Sequence, residues 1–172
     1  ADITTVEGLA RLAGDGGSGG DRVSYYGAPN GVTVNLLTGQ ATGWGVDTLM
    51  GIEHVSGSQY ADSLQGDAQA NFFLPHAGND TVDGGDGDDF IAVSGVGGTS
   101  IYRGGGGSDT LGFAFGVPTS GANVSLLRVA AQTAAGATFT LSGFENLSGT
   151  TYADTLTGDG GANTLAGGGG AD

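Results

Sequence analysis

The sequence predicts an all-β chain, a parallel solenoid of very short strands, on three observations. The first is a beat of nine. Residues 57–92 divide into four nine-residue units, GSQYADSLQ, GDAQANFFL, PHAGNDTVD and GGDGDDFIA. Their sixth places hold Asp62, Asn71, Asp80 and Asp89, and their eighth places hold Leu64, Phe73, Val82 and Ile91. An oxygen donor and an apolar side chain therefore recur in fixed phase, which is the mark of stacked repeats. The second is the alternation Val32, Thr33, Val34, Asn35, Leu36, a period of two that fits a half-buried strand. The third is the lack of a helical period. Only 128–135 (RVAAQTAA) hints at a short helix.

The elements follow in order. Residues 16–24 (GGSGGDRVS) fit the nonapeptide G-G-x-G-x-D-x-U-x in full, as do 84–92 and 104–112. Between the first unit and the run at 57–92 lies a longer apolar segment, 25–56, whose VTVNLL and DTLMGIEHV stretches read as strands separated by Gly turns. Val55 stands nine before Leu64, so this segment enters the repeat in register. Residues 94–102 keep glycines and place Ile101 at the apolar position, with Thr99 where a ligand is expected. A second longer segment, 113–148, carries ANVSLLRVA and ATFTLSGFENL. The units 149–157 and 158–166 follow, with Asp154 and Asn163, and 167–172 is the first six residues of another. The apolar series is thus Val23, Leu64, Phe73, Val82, Ile91, Ile101, Leu111, Leu156 and Leu165.

The chain is also a duplication. Glu53 and Glu145, Tyr60 and Tyr152, Asp62 and Asp154, Asn71 and Asn163 are each 92 apart, while Leu36 and Leu126 are 90 apart. A division into 1–112 and 113–172 is expected, each copy having a longer segment, 25–56 or 113–148, in wider irregular coils on the same axis, followed by nonapeptides. The final GGGGAD breaks off inside a unit, so the chain is expected to be a piece of something longer.

Composition narrows the partners. Glycine is 38 of 172 residues, about 22% against a typical ~7%. Such a chain would suit a flexible linker, because ordering glycine costs much backbone entropy. Against that, 38% of residues are hydrophobic and fall in phase with the glycines. The net charge is −14, fifteen of the 18 acids are Asp, and lysine is absent. Nucleic acid is excluded as a partner by the lack of cations for phosphate. Cysteine is absent, so neither disulfides nor thiolate metal sites are available. No apolar run is long enough to span a membrane as a helix.

The GGxGxDxUx units resemble the RTX, or haemolysin-type calcium-binding repeat, family. The likeness covers 57–112, 149–172 and 16–24, and the longer segments resemble spacers between such repeats in large secreted bacterial proteins. The resemblance implies a β-roll in which two units make one coil, six residues of each unit forming a turn and three a strand. Units two apart then stack in parallel on a right-handed axis, and eighth-position side chains fill a core one side chain wide. Asp62 would face Asp80, Asn71 would face Asp89, and Asp154 would face Asp172. Asp89 would also meet Asp109 across a coil enlarged to 20 residues. Paired carboxylates with turn oxygens suit Ca²⁺, which takes 6–8 oxygens in loose geometry, better than Mg²⁺ or zinc. The expected cofactor is several calcium ions. The expected metal-site residues are Asp21, Asp62, Asn71, Asp80, Asp89, Asp109, Asp154, Asn163 and Asp172. The turns of Gly84, Asp86 and Gly87, of Gly104 and Gly106, and of Gly167 and Gly169 complete them. Asn71, Asn163, Thr99 and the pair Pro75 and His76 depart from the pattern and should mark weaker or empty sites.

Other chemistry is less well supported. The residues Gly16, Ser18 and Gly20 formally fit a G-x-S-x-G nucleophile elbow, yet they lie in a repeat turn and have no His partner. His76 reads as a surface residue of a degenerate turn, and Tyr60 and Tyr152 as matched structural residues. Phe72, Phe73, Phe113, Phe115, Tyr25, Tyr26 and Trp44 read as packing residues rather than sugar platforms; carbohydrate is a further candidate ligand that no pattern supports. Thr residues keep no rank that would suit ice. No catalytic residue is expected. The sequence reads as a calcium-binding structural segment of a secreted or cell-surface protein that folds outside the cell. The alternatives are an accessory module of a polysaccharide-acting or lipolytic enzyme, and a self-assembling filament or surface-layer subunit. For the last, Ala1 and Asp2 echo Ala171 and Asp172 and would allow head-to-tail stacking of copies.

Overall fold

The computed structural model describes residues 13–15, 19–94, 98–115 and 118–172. The expectations placed on Ala1, Asp2, Gly16 and Ser18 lie outside the described residues.

Eighteen strands follow one another without a helix among the described residues. They are β1 (Ala13–Asp15), β2 (Arg22–Ser24), β3 (Thr33–Asn35), β4 (Gln40–Thr42), β5 (Val46–Met50), β6 (His54–Ser56), β7 (Ser63–Gln65), β8 (Phe72–Leu74) and β9 (Thr81–Asp86). Then come β10 (Phe90–Ala92), β11 (Thr99–Gly106), β12 (Thr110–Gly112), β13 (Asn123–Ser125), β14 (Gln132–Ala134), β15 (Ala137–Ser142), β16 (Asn146–Ser148), β17 (Thr155–Thr157) and β18 (Thr164–Ala166). In most units the strand is three residues long and occupies places seven to nine, behind a six-residue turn.

Three residues cannot hold a strand alone, so each is held by its neighbours in the stack. Strands alternate between two sheets. One is ordered β2-β6-β8-β10-β12-β16-β18 and is parallel throughout. The other is ordered β1-β5-β4-β3-β7-β9-β11-β15-β14, with a separate pair of β13 and β17. Register follows the period: Val23, Val55, Phe73, Ile91, Leu111, Leu147 and Leu165 are paired in turn along the first sheet. Val34, Leu64, Val82, Tyr102 and Leu141 do the same along the second. These two columns face each other and, Leu165 apart, are buried. The fold is therefore a parallel β-roll with a thin continuous core.

The longer segments are antiparallel meanders set into the second sheet. In the first, β3 pairs with β4 and β4 with β5, while β3 continues in parallel to β7 and β5 reaches β1. In the second, β14 pairs with β15 through the left-handed turn of Ala135 (φ 50°) and Gly136 (φ 88°). Here the Gln132 side chain replaces one backbone pairing: its Oε1 accepts from Ser125 N–H (2.8 Å) and its Nε2 donates to Ser125 O (2.8 Å). The helical hint at 128–135 is overturned, because Gln132–Ala134 is an edge of this hairpin with alternate residues buried.

Two assignments in the apolar series change. Ile101 is 39% exposed, whereas Tyr102 is buried and pairs with Val82. The alternation along β11 turns Ser100, Tyr102 and Gly104 inward, so the unit there runs one residue later than its glycines suggest. Leu165 is 43% exposed because β18 ends its sheet and no strand covers its outer edge.

Candidate metal centre in the stacked turns

The turns line both edges of the roll, and their sixth-position side chains form two columns. On the edge leading into the first sheet, Asn71 N–H donates to Asp89 Oδ1 (2.8 Å), Asp89 N–H to Asp109 Oδ1 (2.8 Å), and Asp109 N–H to Glu145 Oε2 (2.9 Å). At the start of that column Asp21 N–H donates to Glu53 Oε2 (2.9 Å). On the other edge Asp62 N–H donates to Asp80 Oδ1 (3.0 Å), Asp80 N–H to Ser100 Oγ (3.1 Å), and Asp154 N–H to Asp172 Oδ1 (2.9 Å). The pairings of Asp62 with Asp80, Asn71 with Asp89, Asp154 with Asp172, and Asp89 with Asp109 are thus the ones the repeat leads one to expect.

Three residues in these columns escaped the sequence reading. Ser100, not Thr99, holds the sixth place of its unit. Glu53 and Glu145 hold sixth places too, and the signal was present, since each stands nine before an Asp of the run. Their longer side chains reach the same kind of backbone donor across the wider coils.

The second carboxylate oxygen divides the turns. Asp80, Asp89 and Asp109 are almost fully buried, and the Oδ2 of each has no hydrogen-bond partner. A buried carboxylate oxygen in that state is costly unless a cation or proton compensates it. Burial accordingly pushes the Asp80 carboxyl up to about 7, with the charge of Asp62 adding to it. Burial also raises Asp89 to about 6, helped by the charges of Asp109, Asp67 and Asp88. Asp109 is raised by burial and by its neighbours Glu145 and Asp88.

Oxygens of the backbone converge beside these groups. A Cβ built on Gly84 would meet Asp89 Oδ2 and Gly104 O, and one on Gly104 would meet Gly143 O and Asp109 Oδ2 (2.6 Å). The Gly167 position faces Asp172 Oδ2 in the same way, and Gly106 approaches Asp86 Oδ1 (3.0 Å). No group of three His, Cys, Asp or Glu gathers among the described residues. The donor set is instead a pair of carboxylates and a cradle of carbonyls, all hard oxygen, and this fits a calcium ion.

The family model of the RTX calcium-binding nonapeptide repeat matches this chain in four copies, over residues 47–82, 76–93 and 139–172. Residues 47–93 and 139–172 are RTX repeats. None of the curated proteins matches it. The matched stretches include the ends of both meanders, where Glu53 and Glu145 sit, as well as the Gly-Asp turns. RTX repeats imply calcium binding, and they are typical of secreted bacterial proteins.

The remaining sites differ from their expectation in one respect. His76, read as a surface residue, is half-buried, takes a left-handed backbone (φ 67°), places Nε2 2.8 Å from Ser56 Oγ, and meets Tyr26 edge to face. Tyr60 and Tyr152 are both about half exposed, as matched turn residues. Phe73, Phe113 and Tyr25 are core residues, while Phe72, Phe90 and Phe115 form an aromatic group outside the roll.

Proposed function

We propose that this chain is a calcium-stabilised structural segment of a secreted or cell-surface bacterial protein, without catalytic activity of its own, which folds when it meets calcium outside the cell. The observation that carries it is the set of buried Oδ2 atoms of Asp80, Asp89 and Asp109 that lack any protein donor, those of Asp89 and Asp109 beside backbone carbonyls of the neighbouring coil. Asp80, Asp89, Asp109 and Asp172, with the turns 75–78, 84–87, 104–107 and 167–170, are the groups that would hold the ions. When bound, calcium supplies positive charge that offsets a net −14 and the mutual repulsion of stacked carboxylates. The protein's part is to hold the oxygens: the sixth-position ladder fixes one atom of each carboxylate and leaves the other to the metal. Binding free energy at such sites is folding free energy. Extracellular calcium modules work at about 10⁻⁴–10⁻³ M, which would leave the chain unfolded in a calcium-poor cytosol. The division into 1–112 and 113–172, each a meander followed by nonapeptide coils, is part of this proposal.

Circular dichroism tests it. Millimolar calcium should give a strand spectrum that chelator abolishes and magnesium does not restore. A spectrum indifferent to chelator would overturn the reading.

A further inference from the structure

The repeat turns fall into two kinds, and the division is visible in both backbone and side chains. Turns 75–80, 84–89, 104–109 and 167–172 have positive φ at their second and fourth places: His76 and Gly78, Gly85 and Gly87, Gly105 and Gly107, Gly168 and Gly170. Turns 57–62, 66–71, 149–154 and 158–163 have no positive φ at all.

The second kind is closed by its own side chains. Asp62 Oδ2 accepts from Ser58 N–H (2.7 Å), and its Oδ1 accepts from Ser58 Oγ–H (2.7 Å) and from Val32 N–H (2.8 Å). Asp154 repeats the arrangement: Oδ2 accepts from Thr150 N–H (2.8 Å), and Oδ1 from Thr150 Oγ1–H (3.0 Å) and from Ala122 N–H (2.5 Å). The same hydroxyls accept from Tyr60 N–H (3.0 Å) and Tyr152 N–H (2.9 Å). In the following turns Asn71 Oδ1 accepts from Asp67 N–H (2.9 Å) and Asn163 Oδ1 from Asp159 N–H (2.8 Å). The Asn amides donate back to Asp67 Oδ1 (3.3 Å) and Asp159 Oδ1 (3.0 Å), which also accept from Gln69 N–H (2.9 Å) and Gly161 N–H (2.8 Å).

We infer that the Ser/Thr-x-x-x-Asp and Asp-x-x-x-Asn turns opening each nonapeptide run are metal-independent latches, and that calcium is confined to the left-handed turns around Asp80, Asp89, Asp109 and Asp172. In the latched turns N–H and O–H donors point at the oxygens that a cation would need, and a donor and a cation cannot share one lone-pair direction. The latched turns also lack the left-handed second and fourth places that Gly85 and Gly87, or Gly105 and Gly107, give the other turns. Asp62, Asn71, Asp154 and Asn163 thus keep the shape of the repeat and drop its ion. Each of the nonapeptide runs at 57 and 149 begins with one coil that closes unaided and presents a finished edge for the metal-dependent turns to stack on.

This inference rests on the calcium reading above, and counting ions separates the two. Native mass spectrometry of the whole chain, refolded in calcium, gives the number of ions bound. Asp62→Asn combined with Asp154→Asn should leave that number unchanged, and Asp89→Asn should lower it by at least one. Where the first pair fails to fold, Ser58→Ala with Thr150→Ala opens the same latches and should also keep every ion. Loss of an ion in either latch variant, or none in Asp89→Asn, would overturn the assignment while leaving calcium binding intact. A wild-type chain that binds no calcium would instead remove the proposed function, and the assignment with it.

Discussion

At the residue scale the decisive atoms are second carboxylate oxygens, and they make pH a handle. Asp80 and Asp89 titrate at about 7 and about 6 in the fold, above the ordinary carboxylate value near 4. A raised value in the folded state means that protonation favours the calcium-free fold. That contribution is fully present below about pH 4 and is lost as pH rises through 6 and 7. Calcium needs the same groups deprotonated, so its affinity should run the other way. Titration calorimetry should show affinity falling by roughly tenfold or more between pH 7.5 and 5.5, from proton competition at these carboxylates. A second prediction tests the corrected register. Ser100→Ala removes the acceptor of Asp80 N–H and should cost about 1–3 kcal/mol in urea unfolding with calcium present. Thr99→Ala, at an exposed position, should stay within about 0.5 kcal/mol. The sequence placed the ligand at Thr99 because glycines were counted. The chain follows instead the in-out alternation of β11, which only the neighbouring strand imposes.

At the element scale, the three-residue strand and the six-residue turn were legible from the nine-residue beat together with the family resemblance it carries. In the register of the structure the eighth position is apolar, and it is buried except for the half-buried Leu156 and the exposed Leu165. What could not be read was the meander. VTVNLL and DTLMGIEHV announce strands, but nothing in them tells a coil of the roll from a hairpin folded into one sheet. The helical hint at 128–135 failed for a related reason: Gln132 is polar yet buried, since its amide does the work of a peptide group. The sixth-position column was legible, and the two kinds of turn along it were not. Asp62 and Asp89 share a motif place, and their difference lies in Ser58 and in the backbone sign of the turn. Two substitutions check this level. Ile91→Asp sets a charge in a fully buried column and should abolish the strand spectrum, since an uncompensated buried charge costs several kcal/mol. Gly105→Ala puts a Cβ against Gly85 O at φ 117° and should lower the melting temperature and weaken calcium binding, as fluorescence melting with and without calcium would show.

At the scale of the whole molecule, salt and calcium should act in the same direction on stability and differ in strength. Monovalent salt screens repulsion among exposed acids, with a Debye length near 10 Å at 0.1 M, but does not reach the buried oxygens of Asp80, Asp89 and Asp109. Half-molar sodium chloride should therefore fail to restore the strand spectrum in chelator, whereas millimolar calcium restores it. The two sheets also differ in length. The first meander sets three strands into the second sheet, and the second sets β14 and β15 there with β13 beside them in its separate pair, while the first sheet's neighbours, β2 with β6 and β12 with β16, stay directly paired. Strands are spaced by about 4.8 Å, so every copy lengthens one wall by roughly two strand widths and not the other. A rod with one wall longer than its opposite is a wedge. Copies of this unit set end to end would trace an arc, convex on the meander side, and the spacing between meanders would set its radius.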